Sequence, residues 1–135
     1  MNRKTILIVD DDPLTLELTT QIIERFGWTA LTAESGEDAL TLLAERGHEI
    51  DLVLLDLAMP RMDGFAVAVE IRRNPEFGDV PILALTARAE YKSQTQARES
   101  GIDAVLHKPF EIEKLRRVLE TYLGPPVSRQ ERNVN

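Results

Sequence analysis

The chain has 135 residues, no cysteine, a formal charge of -7 and 43% hydrophobic content. That bounds it to one globular domain with one sizeable core, and it excludes disulfides, thiolate metal sites and cysteine nucleophiles. The acidic balance disfavours direct nucleic-acid binding, which needs a basic face, and no apolar run approaches the ~20 residues that span a bilayer.

Strand and helix patterns then alternate five times. Thr5 to Val9 reads as a first strand, and Asp12 caps a helix with Pro13 at its first position. Leu14, Leu18, Ile22 and Phe26 recur every four residues and predict its buried stripe, ended by Gly27. A second strand follows from Trp28 to Ala33. Ser35 caps a second helix with Asp38 three residues on, Ala39, Leu40 and Leu43 make its inner face, and Gly47 stops it. The third strand, Leu52 to Leu55, is apolar at every position, as a strand covered on both faces should be. After the loop Ala58 to Gly64, a third helix runs from Phe65 to Arg73 and ends at Asn74-Pro75.

Pro81 introduces a fourth strand, Ile82 to Leu85. The fourth helix, Glu90 to Ser100, offers only Ala89, Ser93 and Ala97 inward, with Tyr91 nearby, and is expected to bury little. Ala104 to Leu106 is the fifth strand. Ile112, Leu115, Leu119 and Leu123, or neighbouring Val118, line a fifth helix that Gly124-Pro125-Pro126 terminates. This alternation predicts an α/β fold: a doubly wound, five-stranded parallel sheet with helices on both faces. Residues 4–123 form the expected domain. Residues 124–135 form a short polar tail, expected to be disordered and too short for an output domain. With no cysteines and no signal-peptide pattern after Met1, the expected location is the cytoplasm.

The chemistry collects at strand ends. Asp10-Asp11-Asp12 follow the first strand, Asp56 the third, Thr86 the fourth and, after His107, Lys108 the fifth. Open α/β sheets place ligands beyond these carboxyl ends. A carboxylate can act as a nucleophile and become an aspartyl-phosphate. Phosphoryl transfer needs positioning and charge neutralisation. Mg²⁺ takes carboxylates, carbonyls and water, so Asp10, Asp11, Asp56 and the Ala58 carbonyl form a candidate metal site. Lys108 adds a second positive charge and Thr86 a hydroxyl donor.

Other residues have plainer readings. Asp12 is a helix cap, Asp63 a turn residue, and Trp28 partly buried core. His48 and His107 read as surface or packing residues, and Arg72-Arg73 as a solvated helix end.

Four segments, in order, resemble the receiver domain of two-component response regulators. They are Ile6-Leu7-Ile8-Val9-Asp10-Asp11-Asp12-Pro13, Leu54-Leu55-Asp56-Leu57-Ala58-Met59-Pro60-Arg61-Met62-Asp63-Gly64, Ala84-Leu85-Thr86-Ala87, and Leu106-His107-Lys108-Pro109-Phe110. The resemblance spans about Lys4 to Leu123 and implies a flavodoxin-like (βα)5 fold. It implies phosphorylation of Asp56 by a histidine kinase or a histidine phosphotransfer protein. It implies Mg²⁺ on Asp10, Asp11, Asp56 and the Ala58 carbonyl, Thr86 and Lys108 on the phosphoryl group, and a cis Lys108-Pro109 bond. The chain would catalyse its own phosphorylation and dephosphorylation, with Ala58 and Arg88 flanking the site and Arg88 expected to limit or guide approach to the phosphoryl group. Its output would be contact with a downstream protein or onward transfer of the phosphate, as a monomer or a phosphorylation-dependent dimer.

One position departs from that pattern. The family usually carries Tyr or Phe three residues before the lysine, and this chain has Val105. Two other readings compete. One is a phosphate-independent binding module of the same fold. The other is a phosphatase like the haloacid dehalogenases, with Asp10 as nucleophile in the Asp-x-Asp spacing of Asp10 to Asp12. Asp56→Asn separates that phosphatase from a receiver.

Overall fold

The computed structural model describes residues 3–59, 61–87 and 91–126, the side chains of residues 91–94 excepted. In chain order the elements are β1 (Thr5–Val9), α1 (Pro13–Phe26), β2 (Thr29–Ala33), α2 (Gly36–Arg46), a 3-10 turn (Gly47–Glu49), β3 (Leu52–Asp56), α3 (Gly64–Arg73), β4 (Ile82–Thr86), α4 (Tyr91–Glu99), β5 (Ala104–His107) and α5 (Ile112–Leu123). All strand pairs are parallel, in the order β2-β1-β3-β4-β5. Among the described residues, no helix is long and apolar enough to cross a membrane.

The apolar strands divide by parity between two cores, because successive side chains point to opposite faces. Leu7, Val9, Val53, Leu55, Ile82 and Ala84 pack with Ala39 and Leu43 of α2, Phe65, Val67, Ala68 and Ile71 of α3, and Ala97 of α4. Ile6, Ile8, Leu52, Leu54, Leu83 and Leu85 pack with Leu16 and Ile23 of α1 and Leu115 and Leu119 of α5. Helices therefore cover both faces, as a parallel sheet requires. The ladders align the strand ends: Val9 lies beside Leu55, Asp56 beside Leu85, and Thr86 beside His107.

The expected inner stripe of α1 is corrected. Leu14 and Leu18 are 62% and 51% exposed, Ile22 and Phe26 are half-buried, and the fully buried pair is Leu16 and Ile23. Two apolar lines run along this helix, and periodicity alone does not choose between them. The entry from β1 through the Asp12 cap rotates the Leu16–Ile23 line onto the sheet. The Asp12 carboxylate accepts from the Thr15 backbone N–H at 3.2 Å. The Thr15 hydroxyl, followed by nearby backbone N–H groups, holds the Asp12 carboxyl below its usual range. In α5, Leu115 and Leu119 are buried and Val118 and Leu123 partly so, but Ile112 is 53% exposed.

Smaller differences follow from the backbone. β3, β4 and β5 each run one residue past the apolar core of the pattern, to Asp56, Thr86 and His107, because the ladder engages main chain whatever the side chain. β2 begins at Thr29, leaving Trp28 just outside the strand and fully buried. Gly47 ends α2 but opens a 3-10 turn, so it adopts helical rather than left-handed backbone. Asp63 is the N-cap of α3, accepting from Ala66 N–H at 2.9 Å, and the helix starts at Gly64. Ser35 caps α2 as expected, accepting from Asp38 N–H at 3.0 Å. The expectations for Arg88, Ala89, Glu90, the side chains of Tyr91 and Ser93, and the tail from residue 127 onward lie outside the described residues.

Candidate functional site

From β1 the chain turns to β2 on one side and then crosses to β3 on the other, so the strand order reverses between β1 and β3. Diverging connections leave a crevice at the carboxyl ends of two such strands. Asp10 and Asp11 follow β1 there, and Asp56 is the last residue of β3. One carboxylate oxygen from each lies within 4.8 Å of the others. The three acids named from the sequence thus form one cluster.

Their environments differ. Asp10 is only 4% exposed, Asp56 is half-buried and Asp11 is exposed. Burial raises the Asp10 carboxyl above its usual range, the Asp12 N–H opposes this by donating at 3.0 Å, and the charge of Asp56 raises it further. Lys108 acts in the opposite sense on Asp10, which places its ammonium in the field of the cluster. A compact carboxylate triad beside one ammonium suits a hard cation with oxygen ligands, since a cation removes the repulsion that makes the triad costly.

Two backbone contacts set the orientation of the remaining groups. Ala58 N–H donates to Asp56 Oδ1 at 3.0 Å, fixing the carboxylate on its strand end. Lys108 N–H donates to the Thr86 carbonyl at 2.7 Å and extends the β4–β5 ladder into the site. Thr86 is buried at 1% exposure, and Lys108 is half-buried. The Lys108–Pro109 peptide is cis. Asp12 caps α1 instead of joining the cluster, and His48 is exposed on the 3-10 turn. Val105 is partly buried against the α2–α3 core, so aliphatic packing fills its position.

Sequence reasoning missed two residues that shape this region. Gly64 passes so close to the acceptor strand that a Cβ would lie 2.5 Å from the Asp56 carbonyl oxygen and 2.7 Å from Leu57 Cα. The Asp63-Gly64 dipeptide was the available signal. Arg72, read as solvated, is half-buried and bonded to three backbone carbonyls. Nothing in a helix-end Arg-Arg pair announces that. Its neighbour Arg73 is exposed and pairs with Glu70 at 2.9 Å, as a solvated end should.

Beside the triad, Thr15, Thr19, Leu85, Ala87, Lys108, Pro109 and Phe110 line an open, mostly apolar cleft of about 570 Å³. Leu14 and Leu18, the sequence neighbours of the lining Thr15 and Thr19, are exposed on α1, and Ile112, two residues after Phe110, is exposed at the start of α5.

The response regulator receiver domain family matches residues 6–120. The polar-differentiation response regulator DivK of Brucella ovis is 31% identical over 90% of this chain and 97% of its own length. The DNA-binding dual master transcriptional regulator RpaA of Synechocystis is 36% identical over 82% of this chain and 45% of its own length. The chain thus spans less than half of the longer curated relatives it matches. Among solved structures, the receiver domain of a sensor histidine kinase from Pseudomonas aeruginosa superposes with a TM-score of 0.80 at 28% identity, covering 91% of this chain and 99% of that one. That structure has a magnesium ion coordinated in its active site cleft. With its 2-1-3-4-5 parallel sheet and an acidic cluster at the switch point, the chain belongs to the response regulator receiver domain family, the phosphoaccepting modules of two-component signalling.

Proposed function

We propose that Asp56 is the phosphoacceptor and that residues 4–123 form the receiver unit, with the polar segment 124–135 outside it. The observation that carries this reading is the triad at the β1–β3 switch point with Lys108 in its field. An Asp56 carboxylate oxygen attacks the phosphorus of a phosphohistidine on a histidine kinase or phosphotransfer protein. The phosphorus–nitrogen bond breaks, its electron pair returns to the imidazole nitrogen, and that nitrogen takes a proton from solvent. Lys108 neutralises charge on the transferred oxygens and the Thr86 hydroxyl donates to one of them. Asp10, Asp11, Asp56 and the Ala58 carbonyl would hold Mg²⁺, which supplies charge neutralisation at the phosphoryl oxygens when bound.

The open cleft between α1 and the β5–α5 loop, which Lys108 lines, is the approach that suits the donor. Leu14, Leu18, Phe110 and Ile112 fit the apolar side of a histidine-bearing helix. Phosphorylation replaces the single negative charge of the Asp56 carboxylate with an acyl phosphate carrying about -1.5 to -2 beside Asp10 and Asp11, and that change biases the surrounding surface. The output is a protein contact in the cytoplasm or onward transfer to a histidine, without direct nucleic-acid contact by this domain.

Intact-mass measurement after incubation with acetyl phosphate, with and without Mg²⁺, tests the reading. One Mg²⁺-dependent phosphate adduct is expected, absent in Asp56→Asn. An adduct that persists in Asp56→Asn would move the acceptor to Asp10 or elsewhere. No adduct in the parent chain would favour a phosphate-independent module.

A further inference from the structure

Arg72 makes more contacts than a helix end requires. Its Nε donates to the Gly101 carbonyl at 2.9 Å, and its Nη1 donates to the Gly78 and Val80 carbonyls at 2.7 and 2.6 Å. Its Nη2 pairs with Asp103 Oδ2 at 2.9 Å, and the same carboxylate oxygen accepts from the Ile82 N–H at 2.8 Å. One guanidinium therefore ties the end of α3 to the turn after α4 and, through Asp103, to the first residue of β4. A planar fork with five donors can serve several acceptors at once, which lysine cannot do.

The turn after α4 is built to receive it. Gly101 has φ +89°, and a Cβ there would lie 2.6 Å from Arg72 Cγ. Ile102 N–H donates to the Ala97 carbonyl at 3.0 Å and Gly101 N–H to the Arg98 carbonyl at 3.1 Å, closing the helix end. Ser100 donates its hydroxyl to the Gln96 carbonyl at 2.8 Å. By contrast α4, Tyr-Lys-Ser-Gln-Thr-Gln-Ala-Arg-Glu, offers two apolar side chains in its whole length. Burial can contribute little to its position, so polar contacts at its C-terminal end carry more of the load. Its other end begins at Tyr91, on the segment that leaves the site after Thr86 and Ala87.

We propose that Arg72 is a positioning residue that anchors the C-terminal end of α4, so that α4 swings about the Gly101 turn when the Thr86 end of β4 is rearranged. The proposal rests on Asp56 being the acceptor for its trigger, but not for the anchor itself. Charge added at Asp56 acts on the Thr86 end, whereas the Asp103 carboxylate holds the Ile82 end of the same strand. Displacement is thereby confined to the half of α4 nearest the site.

Amide hydrogen exchange on the full chain, read by peptide mass, tests both parts. In the unmodified protein, Arg72→Met is expected to speed exchange at Gly101, Ile102 and Asp103 about tenfold, the equivalent of one lost charged hydrogen bond, while residues 91–96 change less than about twofold. Equal loosening along all of α4, or none anywhere, would overturn the anchor. With phosphate occupancy confirmed by intact mass, phosphorylation of the parent chain is expected to alter exchange before Ala97 and leave residues 98–103 unaltered. In Arg72→Met the change is expected to spread through Asp103. A phosphorylation response of equal size at both ends of α4 in the parent chain would sink the pivot. Absence of any adduct would count against Asp56 as acceptor, while the unmodified comparison still decides the anchor. Should Arg72→Met fail to fold, Asp103→Asn keeps the hydrogen-bond geometry without the charge and is expected to give about a threefold effect at the same amides.

Discussion

Replacing Asp10 with Asn should make the metal-free protein more stable and leave it nearly indifferent to Mg²⁺. Asp10 is 4% exposed, and one of its oxygens lies within 4.8 Å of oxygens from both Asp11 and Asp56. Two unit charges at that distance repel by about 1 kcal/mol in water and about 3.5 kcal/mol at an effective dielectric of 20. Asp10 takes part in two such pairs, and the Lys108 ammonium offsets part of them. Removing its charge should therefore stabilise the fold by about 1–3 kcal/mol at neutral pH, because the Asn side-chain oxygen can still accept from Asp12 N–H. The pH dependence has a definite sign. Burial, joined by the charges of Asp56 and Asp11, raises the Asp10 carboxyl above its unfolded value of 3.8. Between those two values the folded state binds more protons than the unfolded state, so stability rises as pH falls. The advantage of Asn thus shrinks on acidification, as Asp10 becomes neutral in the parent chain. Mg²⁺ at a hundredfold its dissociation constant stabilises the parent by about 2.7 kcal/mol and the variant far less. Urea unfolding across a Mg²⁺ series should therefore give two stability curves that cross. A variant less stable than the parent without divalent cation, or an equal gain from Mg²⁺ in both, would refute the repulsion argument.

Gly64→Ala forces a methyl against the Asp56 carbonyl, so it should cost about 1–3 kcal/mol in urea unfolding and slow labelling by acetyl phosphate. Arg61 holds φ 64°, and Arg61→Gly should raise stability by about 1 kcal/mol in the same assay, with no gain if that backbone is unstrained. Leu16→Ala should cost about 2–5 kcal/mol and Leu14→Ala about 0.5 kcal/mol or less, the reverse of what the four-residue stripe implies. Leu14→Ala with Leu18→Ala should slow transfer from a histidine donor several-fold but spare acetyl phosphate. Equal effects on both donors would argue against the α1 face as the docking surface.

Local patterns along the chain suffice for the layer order and the chemistry. Continuous apolar strands such as Leu52 to Leu55, separated by helical patterns, leave a parallel sheet as the arrangement that buries them on both faces. Strand-end acids, hydroxyl and lysine then fall on one edge, because parallel strands share one direction. Local rules also found the Asp12 and Ser35 caps, which depend only on neighbouring backbone. The rest follows from long-range packing. Which line of α1 faces inward depends on how the helix leaves β1, and two apolar lines were available to be chosen. The close pass of Gly64 over Asp56 and the grip of Arg72 on Gly101 join residues far apart in the chain, at distances that no local period encodes. The same is true of the triad. Three aspartates could be counted in the sequence, but only the β1–β3 adjacency brings their oxygens within 4.8 Å, since strand neighbours are set by packing across the whole sheet.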